Sequence, residues 1–203
     1  MRHRRARSVP LAFDAAVRKA RGPGRAPVPA LETPVIEIIP LHDVSADAVE
    51  ALLDEAFGAD RHRRTAYVIR GSATAIASLS FAAIEEGTLV GSIQCWPIAL
   101  VTAAGQLPLV MVGPVAVAPG HQGGGVGRTL MRSALAAAEA TGLGDAMMLI
   151  GDPDYYGRFF DFSAERTTAW DAPGPVERHR LLARGPRVPD MPGLLAPRAR
   201  IDA

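Results

Sequence analysis

Five glycines, Gly120, Gly123, Gly124, Gly125 and Gly127, crowd one stretch of the chain, Val115 to Leu130, which reads Val-Ala-Val-Ala-Pro-Gly-His-Gln-Gly-Gly-Gly-Val-Gly-Arg-Thr-Leu. On its N-terminal side, Leu109 to Ala118 is an apolar run rich in β-branched residues, which predicts a strand. On its C-terminal side, Val126 to Ala140 has helical composition, with Leu130, Met131, Leu135 and Ala138 roughly on one face. Glycine permits unusual backbone angles and close approach, so such a loop can aim several N–H groups at one anion while the helix N-terminus adds partial positive charge. The stretch therefore implies phosphate or pyrophosphate binding, against the simpler alternative of a tight strand-to-helix turn without a ligand.

Spacing selects among phosphate loops. A P-loop needs Gly-x-x-x-x-Gly-Lys-Ser/Thr, but Gln122 stands five residues before Gly127 and Arg128 replaces the lysine. A dinucleotide fingerprint needs Gly-x-Gly-x-x-Gly, and from Gly123 or Gly125 its last position falls on Arg128 or Leu130. What fits is Gln122-Gly123-Gly124-Gly125-Val126-Gly127, which resembles the Gln/Arg-x-x-Gly-x-Gly pyrophosphate loop of the GCN5-related N-acetyltransferases (GNAT family). The preceding Val115-Ala116-Val117-Ala118-Pro119 resembles that family's strand, whose exposed backbone pairs with the pantetheine arm of acetyl-CoA. The resemblance implies acetyl-CoA as co-substrate, with no metal. It implies Val115, Val117, Gln122, Gly123, Gly124, Gly125, Val126, Gly127 and Arg128 as the residues that hold it.

A second block, Gly151-Asp152-Pro153-Asp154-Tyr155-Tyr156-Gly157-Arg158-Phe159-Phe160, places a proline near a helix start and predicts a short aromatic helix. It is similar to the last motif of the same family, in a bacterial subgroup of YhbS-like proteins. Asp161 stands where that pattern has glycine, a departure at the turn after this helix. In the resembled fold the tyrosine of this helix faces the CoA sulfur. A phenol with an ordinary pKa near ~10 can protonate a departing thiolate at neutral pH. Tyr156 is the first candidate and Tyr155 the second, with packing against the sheet or cofactor as the structural alternative. No general base is assigned. Leu107 to Ala118 holds neither acid nor histidine, and Glu85, Glu86, His62 and Asp152 stay open. His121, beside Gln122, reads as a loop side chain.

At 203 residues and 48% hydrophobic, the chain can build one substantial core. No apolar run approaches the roughly 20 residues that span a bilayer. A lone cysteine, Cys95, rules out an internal disulfide or a cysteine metal cluster and suits a cytoplasmic setting. Its place in an apolar strand predicts buried packing. The net charge of +1 hides an asymmetry, because eight of the 22 basic residues fall in residues 1–30 against Asp14 as the only acid there. Residues 1–32 thus read as a basic, proline-containing extension, expected to be disordered. A mitochondrial presequence or a nucleic-acid-binding arm are the alternatives.

The domain is expected over residues 33–185. Val35 to Ile39 predicts a short strand, and Ser45 caps a helix over Ala46 to Phe57 with Val49, Leu52, Leu53 and Ala56 inward. Gly58 to Tyr67 is dense in charge and either receives an anionic acceptor group or simply solvates a loop. Ser78–Ile84 and Thr88–Pro97 predict a hairpin turning at Glu85-Glu86-Gly87. Pro114 within the central strand requires a bulge or a local break in pairing. In the resembled fold, that break is where the strand splays and opens the thioester cleft. A short strand over Ala146–Ile150 follows the motif helix, another includes Arg180–Leu182, and residues 186–203 read as an irregular proline-rich tail.

These readings converge on an α/β (mixed α+β) GNAT-like acyl-CoA N-acyltransferase fold, with a mostly antiparallel central sheet splayed at the cofactor cleft and flanked by helices. The expected partners are a small-molecule or peptide amine acceptor, with a homodimer allowed. No membrane is expected, and nucleic acid enters only through the basic extension. Two function classes remain, an acetyl-CoA-dependent N-acetyltransferase and a non-catalytic CoA or acyl-CoA sensor.

Overall fold

The computed structural model describes residues 35–198, so the basic extension lies outside the described residues. After strand β1 (Ile36–Pro40), the hydroxyl of Ser45 accepts a hydrogen bond from the Ala48 N–H at 3.3 Å and starts α1 (Ala46–Phe57) where the sequence places it. Gly58, at φ 86°, ends the helix. The charge-dense segment is more ordered than a solvated loop: Ala59–Arg63 forms a 3-10 turn and Thr65–Arg70 forms α2. A further 3-10 turn at Ala77–Leu79 delays the next strand, β2 (Phe81–Glu85), relative to its expected start. Strand β3 (Thr88–Thr102) runs past Pro97, and β4 (Gly105–Val117) returns beside it. There follow α3 (Val126–Ala140), β5 (Met147–Ile150), α4 (Pro153–Phe160), β6 (Trp170–Asp171), β7 (Leu181–Arg184) and β8 (Gly193–Pro197).

The sheet has eight strands, six of them in the order β1-β2-β3-β4-β5-β7. Antiparallel pairing predominates; β4 with β5 and β6 with β8 are parallel. The irregular tail expected from residue 186 is corrected by β8, which pairs antiparallel with Ile98 to Val101 of β3. The physical reason is an open edge. β2 covers β3 only as far as Ile93, and the backbone groups of the second half of β3 need partners. Leu195 is fully buried there, and Pro192 and Pro197 stand at the ends of β8, where their missing donors are tolerated.

The break expected at Pro114 is a bulge. Ile93 opposes Val115 and Cys95 opposes Val112, so the single residue Gln94 faces both Gly113 and Pro114. Before the bulge Val110 and Val112 point to the α3 side; after it Val115 and Val117 do. Pairing of β4 with β5 is confined to Val110 and Met111, and beyond them the two strands part.

Helices α3 and α4 cover one face of the sheet, with Leu130, Met131, Ala134, Phe160 and Phe162 buried against Ile93, Val112 and Leu149. On the other face α1 packs through Leu52 and Leu53 on Ala82 and Ala116, while Ile69 of α2 joins Ile98, Leu100, Met111 and Trp170. Among the described residues no helix is long and apolar enough to cross a membrane, and no cluster of His, Cys, Asp or Glu could hold a metal ion.

Cys95 is fully buried as a free thiol, and burial pushes its pKa up to about 12. The thiolate is the reactive form, so the native thiol is expected to resist Ellman's reagent at pH 8 and to react completely once the chain is denatured. Rapid reaction of the native protein would show an open route to this strand.

Candidate active site

The parting of β4 and β5 opens a cavity of about 1030 Å³. Met111 to Val115 and Leu149 to Asp152 form its two strand-derived walls, and Met131 and Tyr156 close it on the α3 side. On the opposite face it reaches α2, through Thr65, Ala66, Tyr67 and Arg70, and the segment carrying Val176, Glu177 and Arg180. The hydroxyl of Thr65 donates to the Pro175 carbonyl at 2.6 Å and ties that segment to α2.

The glycine loop lies beside Val115, which lines the cavity, without lining it itself. Gly125 caps α3 in the left-handed region, at φ 89°, and supplies no side-chain cap; the first turn holds no acidic residue. The N–H groups of a first helical turn have no intrahelical acceptor, and here neither a cap side chain nor an acid offsets the positive end of the helix dipole. Gly123 also takes positive φ, at 83°, and a Cβ there or at Gly120 would meet nothing within 4 Å, so the loop borders open space. Gly127 sits on the splayed strand: a Cβ there would touch Val117 at 3.5 Å and Val115 at 3.7 Å. Loop, helix start and strand thus form one continuous surface, and Val115 carries it into the cavity. Gln122 is exposed, its amide 3.5 Å from the Val117 carbonyl. Arg128 is exposed too and lies over the ring of Phe159, 5.4 Å from its centroid, linking α3 to α4.

Helix α4 begins at Asp152, whose carboxylate accepts the Asp154 N–H at 3.0 Å, with Pro153 in the first turn. It ends at Asp161, at φ 59° and ψ 34°. Aspartate enters the left-handed region more readily than most residues, so the turn survives the missing glycine. Between these ends Tyr156 turns into the cavity, while Tyr155 is exposed among Phe159 and Phe160 and does not line it. Burial raises the pKa of Tyr156 above the ordinary tyrosine value; Tyr155 adds to this and Arg180 opposes it. The phenol is accordingly protonated at neutral pH. Gly151 makes room for it: a Cβ there would lie 2.5 Å from Cδ2 of the Tyr156 ring. Sequence reasoning gave Gly151 no role, because its neighbour across space is invisible to spacing.

The candidate bases separate. Glu85 lies 2.7 Å from Nε2 of His121 and anchors the glycine loop to the hairpin, outside the cavity lining. Glu86 occupies the hairpin turn at φ 49°, and His62 packs edge-on against Tyr67. Only Asp152 of the four lines the cleft, where Glu177, which the sequence reading missed, joins it.

The arginines separate as well. Arg61 is buried, bonded to Glu50, to the Tyr67 hydroxyl and to Asp54 at 2.7 Å; burial works against its charge, but these bonds outweigh it and hold its pKa above the ordinary value. Arg64 donates to the Phe57 carbonyl at 2.8 Å. Arg70, also unremarked in the sequence, is buried with its guanidinium carbon 3.6 Å from the Tyr67 ring centroid and 4.1 Å from that of Trp96.

The sequence matches the acetyltransferase (GNAT) family model over residues 46–158, from the start of α1 into α4. The chain belongs to this family. Among solved structures, this GNAT chain is similar to YhbS of Escherichia coli, a GNAT family N-acetyltransferase in complex with CoA. The TM-score is 0.62 at 21% identity, over 81% of this chain and 89% of that one. It is also similar to a GNAT family acetyltransferase of Brucella melitensis in complex with acetyl-CoA, with a TM-score of 0.53 at 25% identity, over 79% of this chain and 94% of that one. No curated protein matches the sequence. The mixed, mostly antiparallel sheet that divides between β4 and β5 is thus the GNAT fold expected from the motif, and family membership makes the chain an acyltransferase.

Proposed function

We propose that this protein transfers an acetyl group from acetyl-CoA to the amine of an acceptor, by direct attack within a ternary complex. The observation that carries the reading is the shared cavity: the splayed half of β4 and the protonated phenol of Tyr156 face the same space. Acetyl-CoA supplies the acyl group as an activated thioester. The uncapped first turn of α3 and the N–H groups of Gly123 to Gly127 bind its pyrophosphate. The β4 backbone beyond Met111, unpaired on its β5 side, receives the pantetheine arm. As the amine nitrogen bonds to the acyl carbon and the carbon–sulfur bond breaks, Tyr156 gives its proton to the sulfur. Asp152 and Glu177 are the cleft carboxylates that can take the amine's proton, directly or through water.

A cytoplasmic setting belongs to this reading, supported by the single cysteine, which stays a buried thiol. The reading is tested by thiol release from acetyl-CoA across amines, amino acids, polyamines and peptides. Turnover with one class supports it; tight CoA binding without release by any amine makes the protein a CoA sensor instead.

Positioning of the phenol gives a further test. Gly151→Ala places a methyl group against the Tyr156 ring and displaces it, so turnover is expected to fall by about tenfold or more, since shifts of ~1 Å in a reacting group cost up to ~100-fold. CoA affinity, set at the α3 end, is expected to hold. Unchanged turnover in a folded variant would show that ring position is immaterial.

A further inference from the structure

We infer that the acceptor carries an anionic group, a carboxylate or a phosphate, near its reactive amine, and that Arg70, with Arg180 at the mouth of the cleft, recognises it. This rests on the acetyltransferase reading above. The cavity is lined by five arginines and two carboxylates. Arg61 is neutralised by Glu50 and Asp54, and Asp152 lies at the start of α4, where one carboxylate oxygen accepts the Asp154 N–H. Glu177 stands 3.4 Å from His179. Neither Arg70 nor Arg180 has a carboxylate partner among the described residues; Arg180 donates only to the Gly151 carbonyl, at 3.4 Å.

Arg70 is the unusual member. It is 8% exposed, and the rings of Tyr67 and Trp96 cover its guanidinium. Aromatic faces compensate a cation partly, and a guanidinium covered on its faces still presents N–H donors at its edge, in the fork that suits a carboxylate or phosphate. Burial lowers its pKa although Tyr67 and Glu50 act to raise it, and an oxyanion in the cleft would add a partner at the guanidinium edge. The cofactor's own phosphates do not. They belong at the start of α3 on one face of the sheet, whereas α2 packs with Ile98, Leu100 and Trp96 on the other.

The test uses the full chain with acetyl-CoA and matched acceptors: glycine against glycinamide, phosphoethanolamine against ethanolamine, and spermidine as a polycation. The anionic member of at least one pair is expected to have a kcat/KM about tenfold or more above its neutral partner, the scale of one charge-assisted hydrogen bond, and the pair that discriminates identifies carboxylate or phosphate. Arg70→Gln is expected to drive that ratio toward one while leaving CoA affinity by calorimetry unchanged. Should this variant fail to fold, the exposed Arg180→Gln must lower the same ratio. Equal use of neutral or cationic amines, or a ratio unmoved in every folded variant, overturns the inference while leaving acetyl transfer intact. A protein that binds no CoA, or binds it and acetylates nothing, overturns the acetyltransferase reading and this inference with it.

Discussion

Tyr156→Phe is expected to lower turnover by on the order of a hundredfold or more, with little change in CoA affinity or melting temperature. The substitution keeps the ring, which packs near Phe160 and Phe162, and removes only the proton that the proposed step passes to the departing sulfur. Tyr155→Phe is expected to be nearly silent, because its ring lies outside the cavity. Tyr156→Ala separates chemistry from packing, since loss of a largely buried ring costs about 3–5 kcal/mol of stability as well as activity. The pH profile carries the same signature. A donor works while protonated, and burial raises the pKa of this one, so its competence extends from neutral pH past the ordinary tyrosine value of ~10 and fails only above it. Full activity in Tyr156→Phe, in Tyr155→Phe and in the double variant would refute phenol catalysis.

Gly125→Val is expected to weaken CoA binding by several kcal/mol, roughly a hundredfold or more in Kd. At φ 89° a β-branched residue is strained by about 1–3 kcal/mol, and relief of that strain re-aims the N–H groups of the first turn of α3. Gly127 differs. It lies inside α3, and the methyl of Gly127→Ala makes ordinary contacts with Val115 and Val117, so any loss of affinity there reports close approach of the ligand rather than backbone strain. Calorimetry with CoA distinguishes the two positions. Unchanged affinity in Gly125→Val would remove the loop from the cofactor site.

Much of the fold was legible where local chemistry decides it. Ser45, the glycines before Val126, and Asp152 with Pro153 are start signals that act within one turn, and α1, α3 and α4 begin where these residues put them. Pro114 announced the bulge because a missing donor cannot hide in a central strand. What was not legible depends on partners distant in sequence. β8 looked like a tail because its prolines are read locally, whereas its strand state is set by the open edge of β3. Arg61 and Arg70 look alike in sequence. One is neutralised from α1 and the other is held against Trp96, a distinction made only by packing. Gly151 is required by a ring that turns back from α4.

The bulge opposite Gln94 gives β4 two phases, one for each half of the strand. Val110 and Val112 alternate in one, Val115 and Val117 in the other, and the extra residue between them is what brings all four to the same face. Deleting either Gly113 or Pro114 would therefore act as a frameshift in space: Val115 and Val117 would rotate toward α1, and Ala116 would take their place under the start of α3. Substitutions along β4 adjust the lining of a wall. A change of one in its residue count exchanges that wall for the opposite one.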